Sequence, residues 1–198
     1  MAACRINSVP VLLLFSLSLA TICHSARPPL LKVLDGSKDD DYNCVYTIYV
    51  RTGTIWKGGT DSVISVALAG ADGQGILITD LESWGGLMGD NYDYFERGNL
   101  DIFSGRGPCI SSWPPCWMNL TSDGTGSGHG WYCNYVEVTT TGPHLGCNQQ
   151  LFTVEQWLAR DTSPWQLYAT RDLCPNHYDA VSAAAHEIAS GGHVTLAE

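Results

Sequence analysis

Apolar and polar residues alternate along two runs that flank a glycine-rich loop. Cys44-Val-Tyr-Thr-Ile-Tyr-Val-Arg51 comes first and Ser62-Val-Ile-Ser-Val-Ala-Leu68 second. A period of two sends successive side chains to opposite faces of an extended chain, so both runs predict β-strands. The stretch between them holds Gly53, Gly58 and Gly59, which permit φ > 0 and sharp turns, and one large indole, Trp56. The same pattern predicts further strands, for a set at 44–52, 62–69, 75–79, 99–104, 117–121, 131–140, 150–157 and 166–171. Clusters of Gly, Asn, Asp and Pro separate them. In the sixth, Trp131, Cys133 and Tyr135 fall on one face, and bulk on both faces predicts an interior strand. Before residue 178 the only helical hint is a turn at 81–84. Eight short strands of this kind predict an antiparallel sandwich or barrel. The tail differs: 179–189 is alanine-rich, opens on Asp179 as a cap and stops at Gly191-Gly192, which predicts a short helix.

The ends of the chain change the picture. Residues 1–25 carry a basic Arg5, an apolar run from Val9 to Ala20, and the small-residue exit Cys23-His-Ser25. This predicts a signal peptide cut after Ser25, the apolar run being short for a membrane span. Residues 26–43, with Pro and then Asp39-Asp-Asp41, read as a solvated linker; 44–174 form the folded domain and 175–198 a tail. The expected product is a soluble monomer of the secretory pathway, in the endoplasmic reticulum or outside the cell. The terminal Val194-Thr-Leu-Ala-Glu198 is not a retention tetrapeptide.

Cysteine usage agrees with an oxidising compartment. Cys4 and Cys23 leave with the signal peptide, and Cys44, Cys109, Cys116, Cys133, Cys147 and Cys174 remain. An even number predicts three disulfides, with fifteen pairings formally open. The expected set is Cys44–Cys174, stapling the ends of the domain, Cys109–Cys116, closing a Pro-rich loop, and Cys133–Cys147. A zinc site is disfavoured, because no CxxC spacing or sequence-adjacent histidine accompanies these cysteines.

The formal net charge is −10, and loss of Arg5 makes the mature chain more negative still. That argues against nucleic acid and against polybasic attraction to anionic lipid. Contact with a membrane then requires aromatic insertion, a bridging cation, or both. No G-x-S-x-G or HExxH pattern is present, and His129 and His144 are the imidazoles of 44–174, so no catalysis is expected. Asn119-Leu-Thr121 is a glycosylation sequon, lying in a predicted strand.

Three blocks carry a resemblance. Thr52-Gly-x-x-Trp-x-Gly-Gly-Thr-Asp61, Tyr94-Phe-Glu-Arg-Gly-x-x-Asp101 and Gly130-Trp-Tyr-x-x-Tyr-Val-x-Val138 are similar, in order and spacing, to the PLAT domain of polycystins, lipoxygenases and alpha-toxins. Cys109, Cys116, Leu120-Thr-Ser-Asp-Gly-Thr-Gly126 and Leu151-Phe-Thr-Val-Glu-Gln-Trp157 resemble the plant single-domain members, the stress-type and embryo-specific ATS-type proteins. The resemblance implies an eight-stranded sandwich of two four-stranded sheets, with membrane or protein partners, no catalysis of its own and a place in abiotic-stress physiology. It implies lipid contact through Trp56, Lys57 and Trp157. It also implies an optional calcium site from the Lys57 and Gly58 carbonyls with Asp93 and Glu96. Tyr94 stands where a carboxylate is usual and Gly130 where an Asp is common, a set two ligands short, which Asp90 or Asp123 would have to complete. Asp61, following the Gly-Gly-Thr turn, and Arg97 read as structural, and Trp131 as core.

Overall fold

The computed structural model describes residues 32–33, 43–112, 114–143 and 145–175. The predicted signal peptide, most of the predicted linker, the predicted tail helix, Trp113 and His144 lie outside the described residues. The elements are β1 (Lys32–Val33), β2 (Asn43–Thr52), β3 (Ile64–Ala69), β4 (Gln74–Ile78), α1 (Leu81–Gly85), β5 (Leu100–Pro108), β6 (Trp117–Ser122), β7 (Trp131–Gly142), β8 (Leu145–Leu158) and β9 (Tyr168–Asp172). They build two four-stranded antiparallel sheets, β5-β2-β7-β8 and β4-β3-β6-β9. Within the segment read as linker, β1 adds a short parallel strand at the β4 edge.

Alternation determines which faces meet. Along β2, Cys44, Tyr46, Ile48 and Val50 are fully buried while their neighbours are not. They meet Val66, Leu68, Met118 and Leu120 from the facing sheet in one core. Burial of such side chains, each contributing about 1.5–3 kcal/mol, is the main force holding the sheets together. Arg171 on β9 donates to the carbonyls of Thr153 and Val154 on β8, tying the two sheets along one flank. The one-turn helix α1 starts where the Asp80 carboxylate accepts the Ser83 N–H at 3.2 Å.

β7 is interior, as its pattern predicts, but its faces switch midway. Trp131 and Cys133 are buried, then Val136, Val138 and Thr140. Register with β2 slips by one residue, from Thr52↔Cys133 to Arg51↔Tyr135. This β-bulge moves Tyr135 off the face that Cys133 occupies, correcting the single-face expectation. A compensating slip lies in β8, where Glu155 has φ 46° and its carboxylate accepts from Tyr132 Oη at 3.1 Å and Asn134 Nδ2 at 2.8 Å.

The disulfides also correct expectation. The bonds are Cys44–Cys109 and Cys116–Cys174, while Cys133 and Cys147 are free. Register explains this. β2 pairs with β5 so that Cys44 sits opposite Gly107, two residues from Cys109. Trp117 sits opposite Asp172, bringing the flanking Cys116 and Cys174 together. Cys133 pairs with Gln156 whereas Thr140 pairs with Asn148, so Cys133 and Cys147 are about 25 Å apart along the sheet. Cys133 is fully buried, and burial pushes its thiol pKa well up. Both bonds lie at the end of the sandwich away from Trp56. There the Tyr46 hydroxyl donates to the Pro108 carbonyl at 2.6 Å and accepts the Ile110 N–H at 3.3 Å. Burial, partly opposed by the Ile110 hydrogen bond, pushes the Tyr46 pKa up to about 12. The hairpin at Gly142 lies against Cys44 and Cys109 so closely that a Cβ there would collide with the Cys44 sulfur.

Candidate functional site

Four connections converge at the other end: 53–63, 79–99, 123–130 and 159–167. The 53–63 loop is held by its backbone. Gly53 N–H donates to Tyr132 O at 2.8 Å, Tyr132 N–H to Gly58 O at 2.9 Å, Gly98 N–H to Gly53 O at 3.1 Å and Thr60 N–H to Phe95 O at 3.2 Å. Gly58 N–H closes a turn onto Ile55 O at 3.0 Å, lifting Trp56 and Lys57, the latter with φ 61°, out of the fold. Trp56 is 76 % exposed. The Arg97 guanidinium lies 6.0 Å from its ring centroid, in cation–π range.

Beneath this loop is an aromatic floor. Phe95 stacks on Phe103 with centroids 5.5 Å apart and meets Trp131 edge-on at 5.5 Å. Trp131 is core, as its sequence context predicts, and its Nε1 donates to the buried Thr52 hydroxyl at 3.0 Å. Phe95 has φ 58°, a costly conformation for an aromatic residue. The fully buried Asp101 carboxylate holds it by accepting the Phe95 N–H at 2.8 Å. Burial pushes the Asp101 pKa up, hydrogen bonds from Phe95 and Tyr92 pull it back, and the charge of Glu96 raises it further.

Of the predicted metal residues, the structure brings Asp93 and Glu96 together and adds Asp61. Carboxylate oxygens of Asp61, Asp93 and Glu96 all lie within 4.8 Å of one another. Asp61, read as a turn residue, faces this cluster and accepts the Ser127 hydroxyl at 2.8 Å. Gly59 allows the close approach, since a Cβ there would stand 2.9 Å from Arg97 N and 3.1 Å from Glu96 Oε2. The three carboxylates could furnish part of the six to eight oxygens that calcium takes. Tyr94 is outside this set: it is buried, and its hydroxyl accepts the Met88 N–H at 2.9 Å. Asp123 is also elsewhere, ordering its own loop by accepting from Val63 N–H, Thr125 N–H and the Thr125 hydroxyl, which holds its pKa down. Asp90 is not in the cluster either. The Gly58 carbonyl is taken up by Tyr132 N–H.

Trp56 and Lys57 stand between two hollows. One, of about 520 Å³, includes Asp61, Glu96 and Arg97 in its walls. The other, of about 390 Å³, includes His129, Trp157 and Asp161. Trp157 is half-buried with its ring edge-on to Tyr132 at 5.4 Å, so both indoles named from sequence line one cleft. The sequence pattern does not single out a third indole at this end. Trp165, in the same end loops, is 67 % exposed after the cis Ser163–Pro164 bond. Its setting, an indole in a polar loop between two strand-like runs, is the same kind of signal that marks Trp56. Asn119 lies on the outer face of β6, its Nδ2 donating to Thr121 Oγ1 at 3.1 Å and its Oδ1 accepting from the Thr170 hydroxyl at 2.9 Å.

Two antiparallel sheets with exposed aromatic and acidic groups gathered on loops at one end define an all-β sandwich module. The family model described as PLAT/LH2 domain matches residues 46–173, and the chain belongs to that family. It is 55 % identical over 179 residues to PLAT domain-containing protein 1 of Arabidopsis thaliana, covering 90 % of this chain and 93 % of the relative. It is 60 % identical over 137 residues to PLAT domain-containing protein 2 of Arabidopsis thaliana, covering 69 % of this chain and 74 % of the relative. Among solved structures, coral 8R-lipoxygenase aligns with a TM-score of 0.48 and 18 % identity, over 73 % of this chain and 20 % of that one.

Proposed function

We propose that this protein is a non-catalytic module of the secretory pathway that docks on a lipid surface through its 53–63 loop end. The observation that carries the reading is Trp56, 76 % exposed on a loop whose backbone is tied to β7 and to the 95–98 segment. An indole on a loop whose backbone is already held costs little loop ordering on insertion and suits the headgroup region of a bilayer. Ile55, Val63 and Trp165 extend the exposed apolar surface at the same end. With a net charge of −10, the chain is repelled by anionic lipid, and calcium held by Asp61, Asp93 and Glu96 would offset that repulsion locally. Two disulfides suit an oxidising compartment. The plant resemblance extends the proposal to a role in abiotic stress.

Flotation with vesicles, in calcium and in chelator, tests the reading. Wild type should co-float, and Trp56→Ala should lose about tenfold or more in partitioning, the scale of a large apolar side chain withdrawn from a membrane. Absence of wild-type binding in every condition overturns it. A second reading, a protein-interaction module without lipid contact, is favoured by β8. This is an edge strand that exposes Leu145, Cys147 and Leu151. Reproducible capture of one partner, lost on Leu151→Lys, would support that reading instead.

A further inference from the structure

We propose that Asn119 carries an N-linked glycan and that this glycan covers the outer face of the β4-β3-β6-β9 sheet. The proposal rests on the secretory-pathway part of the reading above. Asn119-Leu-Thr121 is the only Asn-x-Ser/Thr triplet in the chain, and its middle residue is not proline. Alternation along β6 buries Met118, Leu120 and Ser122 and turns Trp117, Asn119 and Thr121 outward, each half-buried. The acceptor amide and the hydroxyl of the triplet therefore stand on the solvent side of the strand.

The amide has one hydrogen left to replace. Its Oδ1 accepts from the Thr170 hydroxyl at 2.9 Å, and its Nδ2 donates one hydrogen to Thr121 Oγ1 at 3.1 Å. The second Nδ2 hydrogen has no partner among the described residues. A glycosylated amide keeps its carbonyl and one N–H, so both hydrogen bonds survive the modification. The donor is an oligosaccharide on a lipid pyrophosphate. A bond forms between the sugar C1 and Nδ2, the bond from C1 to the pyrophosphate oxygen breaks with its electron pair, and the displaced Nδ2 proton passes to a base of the transferase. Thr170 lies 51 residues downstream, so β6 still lacks its β9 neighbour while the triplet is being delivered.

The face around Asn119 is short of charge. On β3, β4, β6 and β9 the outward positions carry a single charged residue, Asp172. Asn119 sits between Ala67 on β3 and Thr170 on β9, and Ala67 leaves room for a first sugar because it presents only a methyl group. Leu77 pairs with Ala67 from the far side, two strand spacings or about 10 Å from Asn119. Tyr168 pairs with Thr121, on the diagonal from Asn119. Leu77 and Tyr168 are each 48 % exposed. A bulky, hydrated glycan between them withdraws both from contact with other molecules. It leaves β8 open, since β8 belongs to the other sheet.

The test uses the full chain, residues 1–25 included, produced in plant cells. Its intact mass is read before and after a peptide N-glycosidase, which leaves an aspartate at the modified position. Wild type and Thr121→Ser should each lose one glycan mass at Asn119, whereas Asn119→Gln and Thr121→Val should carry none. Thiol counting on the same material reports whether Cys44–Cys109 and Cys116–Cys174 have formed. Hydroxyl-radical footprinting then compares glycosylated wild type with Asn119→Gln and with enzymatically deglycosylated wild type. Labelling of Leu77 and Tyr168 should rise about twofold or more without the glycan, while Leu151, on the other sheet, should not change. Unmodified Asn119 in protein whose disulfides have formed overturns the glycan site and leaves the secretory reading standing. Unmodified Asn119 with those four cysteines reduced overturns the secretory reading, and the site with it. A glycan at Asn119 whose removal leaves Leu77 and Tyr168 labelling unchanged overturns the cover.

Discussion

At one end of the sandwich, Cys44–Cys109 and Cys116–Cys174 each join the flanks of two neighbouring antiparallel strands, and Tyr46 bridges Pro108 and Ile110 beside them. At the other end, among the described residues, no covalent bond ties the loops. They are held by backbone hydrogen bonds and by Asp101 and Thr52 reaching the aromatic floor. The first end hides its chemistry, and the second displays it: Trp56, Trp165, Lys57 and the Asp61, Asp93 and Glu96 carboxylates all face outward in part. Stability concentrated at one end leaves the other free to carry groups that contribute little to folding. Substitutions at the two ends should therefore differ in what they cost.

The largest effect is expected at the stapled end. Its disulfides close loops of 65 and 58 residues. In the chain-entropy view each contributes about 4 kcal/mol, and native disulfides removed from small domains cost roughly 2–5 kcal/mol. The double variant Cys116→Ser/Cys174→Ser should therefore unfold at much lower urea concentration. A shift below 1 kcal/mol would mean that the strands alone fix this end.

Alkaline pH should weaken the same end next. Tyr46 ionises near 12 in the folded chain against an ordinary value of 10.0. Its raised pKa contributes stability that is fully present below pH 10 and is lost as pH rises through 12, at up to about 1.4 kcal/mol per unit. Tyr46→Phe should be less stable at pH 7, having lost two hydrogen bonds, yet lack this alkaline decline. Parallel stability curves for the two proteins between pH 10 and 12 would contradict the assignment.

At the loop end, Thr52→Val keeps shape but leaves the buried Trp131 N–H without an acceptor. The expected cost is about 1–3 kcal/mol by urea unfolding. Smallest of all is Trp56→Ala, which should change stability by less than about 0.5 kcal/mol, because the ring is exposed. If that variant instead loses as much stability as Thr52→Val, the indole is part of the scaffold and the contrast between the ends fails.

Much of the fold was legible because alternation is a local signal. Runs such as 44–51 and 62–68 announce strands wherever they occur, and Trp131 in such a run announces core. Register is not local. Whether Cys44 meets Cys109 or Cys174 depends on which strand lies beside β2, which no spacing along the chain reveals. The bulge at Asn134 was hidden for the same reason: one extra residue against β2 is visible only when β2 is present. In the site, Asp93 and Glu96 were found from the block they share. Asp61, some thirty residues earlier, reads as part of its own turn, because its approach to Asp93 and Glu96 is a tertiary contact between two loops. Trp165 shows the opposite case, where a readable signal, an indole in a Pro-containing loop, lay beside a predicted strand and was passed over.

The two unpaired cysteines have a practical consequence. Cys147 stands open near the hairpin, while Cys133 is shut in the core about 25 Å away under the β7 bulge. A thiol reagent will reach the first at the rate of any surface group, and the second only when β7 parts from its neighbours. The protein thus carries its own clock and its own reference on one hairpin. The ratio of the two labelling rates measures how often the sandwich opens, without any engineered cysteine.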